Sequence, residues 1–260
     1  MNRIGIAYDD FGKGPAVVLL HGFPFDRSMW REQIEFLSVN GFRAIAPDLR
    51  GLGENKAGDV IATMDEMARD VSALMDQLSI DRAVICGLSM GGYVAFDFVR
   101  LFRSRVRALV LAGTRAPADI EQEKQAREQQ ARKILAEGMS EIAEATLSKL
   151  LAPRTLSEKP GVVARVREMI LHADPRGAAA AQRGMAVRRD YSDDLPKIDL
   201  PALIIVGRED PIRPPADAEF MQEGIRNSRL EIVEDAAHMT NMEQPEVFNR
   251  ALMGFLGLIH

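Results

Sequence analysis

The sequence predicts an α/β protein with a mostly parallel sheet, covered by helices on both faces and interrupted late by a helical insertion. Short runs that are almost entirely apolar recur along the chain, as expected of strands buried on both faces. Segments with helical periodicity separate several of these runs, and this alternation is typical of a parallel sheet. Between residues 114 and 200 the alternation stops, and only helical patterns follow one another.

The predicted strands are the apolar runs that are bounded by turn residues. Each is short and rich in aliphatic and β-branched residues, which fits a buried strand better than a helix. They are residues 16–20, 43–46, 83–86, 107–112, 202–206 and 230–233.

Helices are predicted from the spacing of apolar residues. Residues 64–78 place their apolar side chains on one face, and residues 93–102 follow a glycine pair. We expect the insertion, residues 114–200, to form a cap above the carboxyl ends of the strands, where open α/β sheets bind ligands. The core then comprises residues 1–113 and 201–260. Helical patterns in the insertion cover residues 119–137, 139–151, 160–172 and 175–188.

The composition excludes several classes of protein. The 260 residues carry a formal net charge of −5, with 47% hydrophobic and 27% charged residues, so neither disorder nor a coiled coil is expected. The mildly negative charge gives no attraction to nucleic acid or to an anionic membrane. Cys86 is the single cysteine, and the sequence contains neither a zinc-ligand pattern nor an apolar run of membrane-spanning length. We therefore expect a cytoplasmic protein, while the oligomeric state stays open.

Residues 83–93, AVICGLSMGGY, combine an apolar strand, a G-x-S-x-G motif and the start of a helix. A strand that turns directly into a helix strains its central residue and projects that side chain, which requires small residues two positions before and after it. Gly87 and Gly91 meet this requirement around Ser89. The free backbone amides at the helix start also favour negative charge beside the serine. We therefore predict Ser89 as a nucleophile.

A serine nucleophile needs a base, and the chain has four histidines. His260 is terminal, His172 lies in the insertion, and His21 ends an early strand. His238 lies in a short loop after the last predicted strand, at the same edge of the sheet as Ser89. We predict His238 as the base and His21 as a structural residue that holds its own loop.

The carboxylate that orients His238 should follow another strand. Asp210 lies just beyond the strand at 202–206 and before a proline-rich loop. Glu209 is a rival, although on an extended segment it should point away from the direction of Asp210. Asp235 is a second rival, close to the histidine in sequence. Asp210 is our prediction.

The oxyanion that forms during attack on a carbonyl needs hydrogen-bond donors. Residues 19–24, LLHGFP, end a strand in a small residue, so that the next backbone amide can turn toward the serine. We predict the N–H groups of Phe23 and Met90 as the two donors. One such donor is commonly worth about 2.7–4 kcal/mol of transition-state stabilisation.

The order of four motifs resembles the α/β-hydrolase superfamily, in which the nucleophile, the acid and the histidine follow one another as Ser, Asp and His. These motifs are HGFP, GLSMGG, GREDP and AAHM. The resemblance covers nearly the whole chain outside the insertion, although Ala237 stands where the family usually has glycine. Longer segments are similar to bacterial short-chain carboxylesterases related to 3-oxoadipate enol-lactonases, namely HGFPFDRSMW, APDLRGLGEN, CGLSMGGYVAFDF, GMAVRRDYSDDLP and MEQPEVFNRALMGFL.

Residues and resemblance together predict a serine hydrolase that cleaves small carboxylic esters with short acyl chains through an acyl-enzyme, without metal or cofactor. Trp30, Met185 and Met239 are expected to line the acyl pocket together with Phe23 and Met90.

Three alternatives stay open. A lactone hydrolase of the 3-oxoadipate enol-lactonase type would use the same catalytic residues, and Arg188, Arg189 or Arg115 would supply a cation for a carboxylate-bearing lactone. A cofactor-free perhydrolase would use peroxide in place of water. A ligand receptor built on a hydrolase fold is the non-enzyme alternative.

Overall fold

The computed structural model describes residues 5–55, 58 and 61–259, and His260 therefore lies outside the described residues. In this part of the chain, seven strands form a single sheet. They are β1 (Tyr8–Gly12), β2 (Ala16–Leu20), β3 (Arg43–Pro47), β4 (Ala83–Leu88), β5 (Val106–Ala112), β6 (Ala202–Gly207) and β7 (Ser228–Val233).

The sheet has the lateral order β1-β3-β2-β4-β5-β6-β7. Only β1 is antiparallel to its neighbour, β3, and every other pair is parallel. The predicted α/β fold with a mostly parallel sheet is thus confirmed. The edge strand β1 was not predicted, because its sequence, YDDFG, is polar and its residues are exposed or half-buried.

Helices cover both faces of the sheet. Residues 114–200, between β5 and β6, contain five of them, of which the short α6 was not predicted. The helices are α1 (Arg31–Val39), α2 (Met64–Gln77), α3 (Met90–Phe102), α4 (Glu121–Glu137), α5 (Ser140–Leu150), α6 (Pro153–Glu158), α7 (Pro160–His172), α8 (Pro175–Ala186), α9 (Pro215–Gly224), α10 (Thr240–Glu243) and α11 (Pro245–Leu256).

Alternate side chains of the parallel strands enter two apolar clusters, one on each face of the sheet. In β2, Val18 and Leu20 pack toward α2 and α3, while Val17 and Leu19 pack toward α1 and α11. Because both faces are covered, these strands are apolar almost throughout. Among the described residues, no helix is long and apolar enough to cross a membrane.

Helix α8 joins the insertion to the core through direct backbone contacts. The Ala62 N–H donates to the carbonyl oxygen of Ala180 at 3.0 Å. Gly177 lies against the backbone of Gly51, and Gly184 lies against the backbone of Ala62, so closely that a Cβ at either glycine would overlap a carbonyl oxygen. This side of the insertion is therefore fixed to the core.

We expect Gly177→Ala to lower the free energy of unfolding by about 1–3 kcal/mol, because overpacking forces the backbone of α8 away from Gly51. Urea denaturation followed by circular dichroism would measure the change. Gly161→Ala is the matched control, since a Cβ there meets open space within α7. Equal stability of Gly177→Ala and the wild type would contradict the close approach of α8.

Candidate active site

Ser89 lies at the sharp turn between β4 and α3. Its φ of 55° and ψ of −114° are strained for a residue that is not glycine. A Cβ at Gly87 would overlap the backbone of Gly91, and a Cβ at Gly91 would overlap the Leu20 carbonyl oxygen. The Ser89 N–H donates to the carbonyl oxygen of Ala112 at 2.8 Å, which fixes the turn to β5. The two glycines thus permit the turn that projects the serine.

His238 and Asp210 form a buried pair. His238 Nδ1 lies 2.7 Å from Asp210 Oδ2. A carboxylate can only accept a hydrogen bond, so Nδ1 carries the proton and Nε2 is left as the basic nitrogen. The other carboxylate oxygen of Asp210 accepts from the N–H groups of Ile212 at 2.8 Å and Arg213 at 2.9 Å, and these bonds hold it in orientation.

The loop that carries His238 is held from two sides. The N–H groups of His238 and Met239 both donate to the Leu150 carbonyl oxygen, at 3.1 Å each, so the loop is attached to the end of α5. The His238 ring lies beside Gly113, at the end of β5, where an added Cβ would be 3.4 Å from the ring. The loop is therefore fixed to α5 through its backbone, and its imidazole lies next to the end of β5.

The two predicted oxyanion donors flank Ser89. Met90 is the first residue of α3, so its N–H has no acceptor within the helix. Phe23 follows Gly22, where a Cβ would lie 3.4 Å from the Ser89 Cβ. Within the described residues, neither N–H donates to a protein acceptor.

His21 supports the loop that contains Phe23. Its Nδ1 lies 2.9 Å from the Gly22 carbonyl oxygen, and its Nε2 accepts from the Leu49 N–H at 2.8 Å. One ring nitrogen therefore donates and the other accepts, as in neutral imidazole. Burial lowers the pKa of His21, which keeps the ring neutral.

A cavity of about 170 Å³ connects the reactive groups. Ser89 and His238 both line it, while Asp210 lies behind the histidine. Within the described residues, no cluster of His, Cys, Asp and Glu side chains is suited to hold a metal ion. The remaining lining residues are both apolar and polar: Phe23, Pro24, Tyr93, Arg127, Gln130, Ile142, Thr146, Leu150, Gln182, Met185, Ile212 and Arg213.

Of the side chains expected to line the acyl pocket or to bind a substrate carboxylate, Phe23 and Met185 line this cavity. Trp30 is fully buried against Phe248, with ring centroids 5.9 Å apart, on the face of the sheet covered by α11. Met239 follows His238 but is buried in the same apolar cluster. Arg188 is buried in an ion pair beside the cavity. Trp30, Met239 and Arg188 therefore lie outside the cavity wall.

Tyr93 and Arg213 line the cavity and were not among the expected substrate-binding residues. Arg213 donates from Nε at 3.1 Å and from Nη2 at 2.7 Å to the Tyr93 hydroxyl oxygen. Within the described part of the chain, no carboxylate forms an ion pair with Arg213. Their spacing in the sequence could have indicated a place in the site, because Tyr93 lies one helical turn after Ser89 and Arg213 lies three residues after Asp210.

Asp119 is buried at the centre of an arginine cluster beside the cavity. Its carboxylate lies 2.7 Å from Arg115 and 2.6 Å from Arg188, and it also accepts a hydrogen bond from Arg127. Burial alone would raise the pKa of Asp119, but Arg127 and Arg188 outweigh it and hold that pKa well below its usual range. The Arg188 guanidinium also stacks on the Tyr93 ring, 4.1 Å from its centroid.

We expect Asp119→Asn to cost about 3–5 kcal/mol of stability at pH 7, because it leaves buried guanidinium groups without their anion. Because the pKa of Asp119 is lower in the folded than in the unfolded protein, its ionised carboxylate stabilises the fold at pH values above the unfolded pKa. This contribution is lost as the pH falls through the pKa of the folded state. The stability difference between wild type and variant should therefore narrow in acid, as measured by urea denaturation across pH. Asp199→Asn, at an exposed ion pair with Arg103, is the control with little expected effect.

Comparison with known proteins agrees with this geometry. Residues 15–245 match the family model of the alpha/beta hydrolase fold. The chain is 31% identical to 3-oxoadipate enol-lactonase 2 of Acinetobacter baylyi over 251 residues, which are 96% of this chain and 92% of that protein. A thermophilic esterase from Thermogutta terrifontis, solved with malate bound, is 42% identical with a TM-score of 0.96, covering 98% of this chain and 94% of the esterase. The enol-lactonase from Burkholderia xenovorans is 30% identical with a TM-score of 0.90, covering 97% and 96%. The resemblance read from the motifs is confirmed, and the chain belongs to the α/β-hydrolase family.

Proposed function

We propose that the protein is a serine hydrolase that cleaves carboxylic esters with short acyl groups. The observation that carries the proposal is the buried pair of His238 Nδ1 and Asp210 Oδ2, 2.7 Å apart, beside a cavity that also exposes Ser89. A cavity of about 170 Å³ suits a small acyl group, because pockets for drug-sized ligands measure about 300–1,000 Å³. The similarity to the Thermogutta terrifontis esterase supports the same activity.

In the proposed mechanism, Ser89 Oγ attacks the ester carbonyl carbon while His238 Nε2 accepts its proton. Asp210 holds the ring and stabilises the imidazolium that results. The N–H groups of Phe23 and Met90 donate to the oxyanion of the tetrahedral intermediate. The alcohol then leaves with the proton from His238, and an acyl-enzyme remains. Water then attacks the acyl carbon and gives a proton to the same nitrogen. The bond between this carbon and Ser89 Oγ breaks, His238 returns the proton to Oγ, and the acid is released.

We expect Ser89→Ala to lower kcat for p-nitrophenyl acetate by about 10⁴-fold or more, because no other group can form the acyl-enzyme. A fluorophosphonate probe should add mass to Ser89 in the wild type and not in the variant. Ser157→Ala, at an exposed serine in α6, is the matched control. Esterase activity that survives in Ser89→Ala would overturn the proposal.

Hydrolysis of a lactone that carries a carboxylate is the second candidate function. The three cations expected for such a substrate are occupied: Arg188 and Arg115 pair with Asp119, and Arg189 pairs with Asp194 at 3.1 Å. Arg213 lines the cavity instead, and its guanidinium donates to the Tyr93 hydroxyl oxygen and to the Ile212 carbonyl oxygen. Within the described residues no protein carboxylate pairs with it, so it can bind a substrate carboxylate. Two enol-lactonases from Acinetobacter baylyi, 31% and 30% identical to this chain, agree with this candidate.

We expect Arg213→Gln to lower kcat/KM for an enol-lactone with a carboxymethyl arm by about 10–100-fold, because a hydrogen bond to a charged group contributes about 1.5–3 kcal/mol. The loss should be much smaller for the analogue in which a neutral carboxamide replaces the carboxylate. Comparison of both substrates in one assay measures the difference.

The control for this pair is Arg226→Gln, which removes an exposed cation that is not part of the cavity lining. Equal losses for the charged and the neutral lactone in Arg213→Gln would remove the support for carboxylate recognition and leave the simple ester as the substrate.

A further inference from the structure

Glu243 is a fully buried carboxylate that the proposed mechanism does not use. It is the last residue of α10 and lies five residues after His238. Acidic side chains are rarely buried so completely unless their oxygen atoms are hydrogen-bonded. Its contacts therefore indicate what the carboxylate does.

The two carboxylate oxygen atoms accept from two different parts of the chain. Oε1 accepts from the Ala237 N–H at 2.8 Å, immediately before His238. Oε2 accepts from the Ala152 N–H at 2.7 Å, in the insertion at the start of α6. The main-chain oxygen of Glu243 also accepts from the Lys159 ammonium group. One side chain thus joins the histidine loop to the insertion.

The histidine loop and the insertion are also joined at Leu150, two residues before Ala152. The Leu150 carbonyl oxygen accepts from the His238 N–H, while the Leu150 side chain lines the cavity. Residues 150–152 therefore contact both the substrate space and the loop that carries the proposed base. A displacement of this segment would be passed to the imidazole through bonds at residues 237 and 238.

A carboxylate is needed for this double contact. An amide offers one accepting oxygen, and its NH₂ group would face the second N–H. Burial raises the pKa of Glu243, while the N–H groups of Ala152 and Ala237 oppose this rise because they favour the ionised form.

We propose that Glu243 is a positioning residue, which holds the His238 loop against the insertion at Ala152 and so keeps the imidazole in line with Ser89. The inference rests on the proposed Ser-His-Asp mechanism. Displacement of a reacting group by about 1 Å can cost about 10²-fold in rate. The effect should fall on the chemical step, because Glu243 is not part of the cavity wall.

The test is Glu243→Gln beside Glu246→Gln, the same chemical change at an exposed position in α11. We expect Glu243→Gln to lower kcat for p-nitrophenyl acetate, and the rate of fluorophosphonate labelling at Ser89, by about 10²-fold, with KM changed by less than about threefold. The low-field proton resonance of His238 Nδ1–H should shift or broaden. Glu246→Gln should match the wild type in all three measurements.

Two results would overturn the inference: a folded Glu243→Gln with full kcat and an unchanged low-field resonance, or a variant in which KM alone rises. If Glu243→Gln does not fold, Glu243→Asp serves instead, since it keeps the charge but is too short to reach both N–H groups. Full kcat in a folded Glu243→Asp would equally overturn the inference. Failure of the proposed function is distinct, because the wild type itself would then not be labelled at Ser89.

Discussion

The turn at Ser89 is the constraint on which the rest of the site depends. A serine with a φ of 55° is strained, and the chain can hold it only where its neighbours leave room and its N–H is fixed. Gly87, Gly91 and the hydrogen bond to Ala112 provide these conditions. Because the turn joins the central strand β4 to α3, it also sets where the carboxyl ends of β5, β6 and β7 can deliver Asp210 and His238.

Much of this arrangement could be predicted from the sequence, for a physical reason. Strands buried on both faces must be apolar, so the five inner strands, β2 to β6, are recognisable as apolar runs, and parallel strands bring their carboxyl ends to one edge. The positions of Ser89, Asp210 and His238 after the ends of β4, β6 and β7 therefore predict that they lie at the same edge of the sheet. The strand β1 was missed, because an exposed edge strand needs no apolar run.

The cavity wall was less predictable, because it depends on tertiary packing. Trp30 and Met239 were expected to line the acyl pocket, but each side chain lies in the apolar cluster beside α11. Arg188 was expected to meet substrate, yet Asp119 holds it in the arginine cluster. Arg213 takes the place by the cavity because Tyr93, on a different element, fixes its guanidinium. No local pattern encodes such a pairing between distant segments.

The insertion contacts the rest of the protein in two different ways. Helix α8 is fixed to the core through its backbone, whereas the end of α5 and the start of α6 contact the loop that carries the proposed base. Because α8 rests directly on the segments at Gly51 and Ala62, it cannot swing outward as part of a rigid lid without breaking those contacts. The end of α5 and the start of α6 are joined instead to the histidine loop. Substitution of the cavity-lining residues of α5, such as Ile142 and Thr146, is therefore expected to change the range of substrates without moving α8.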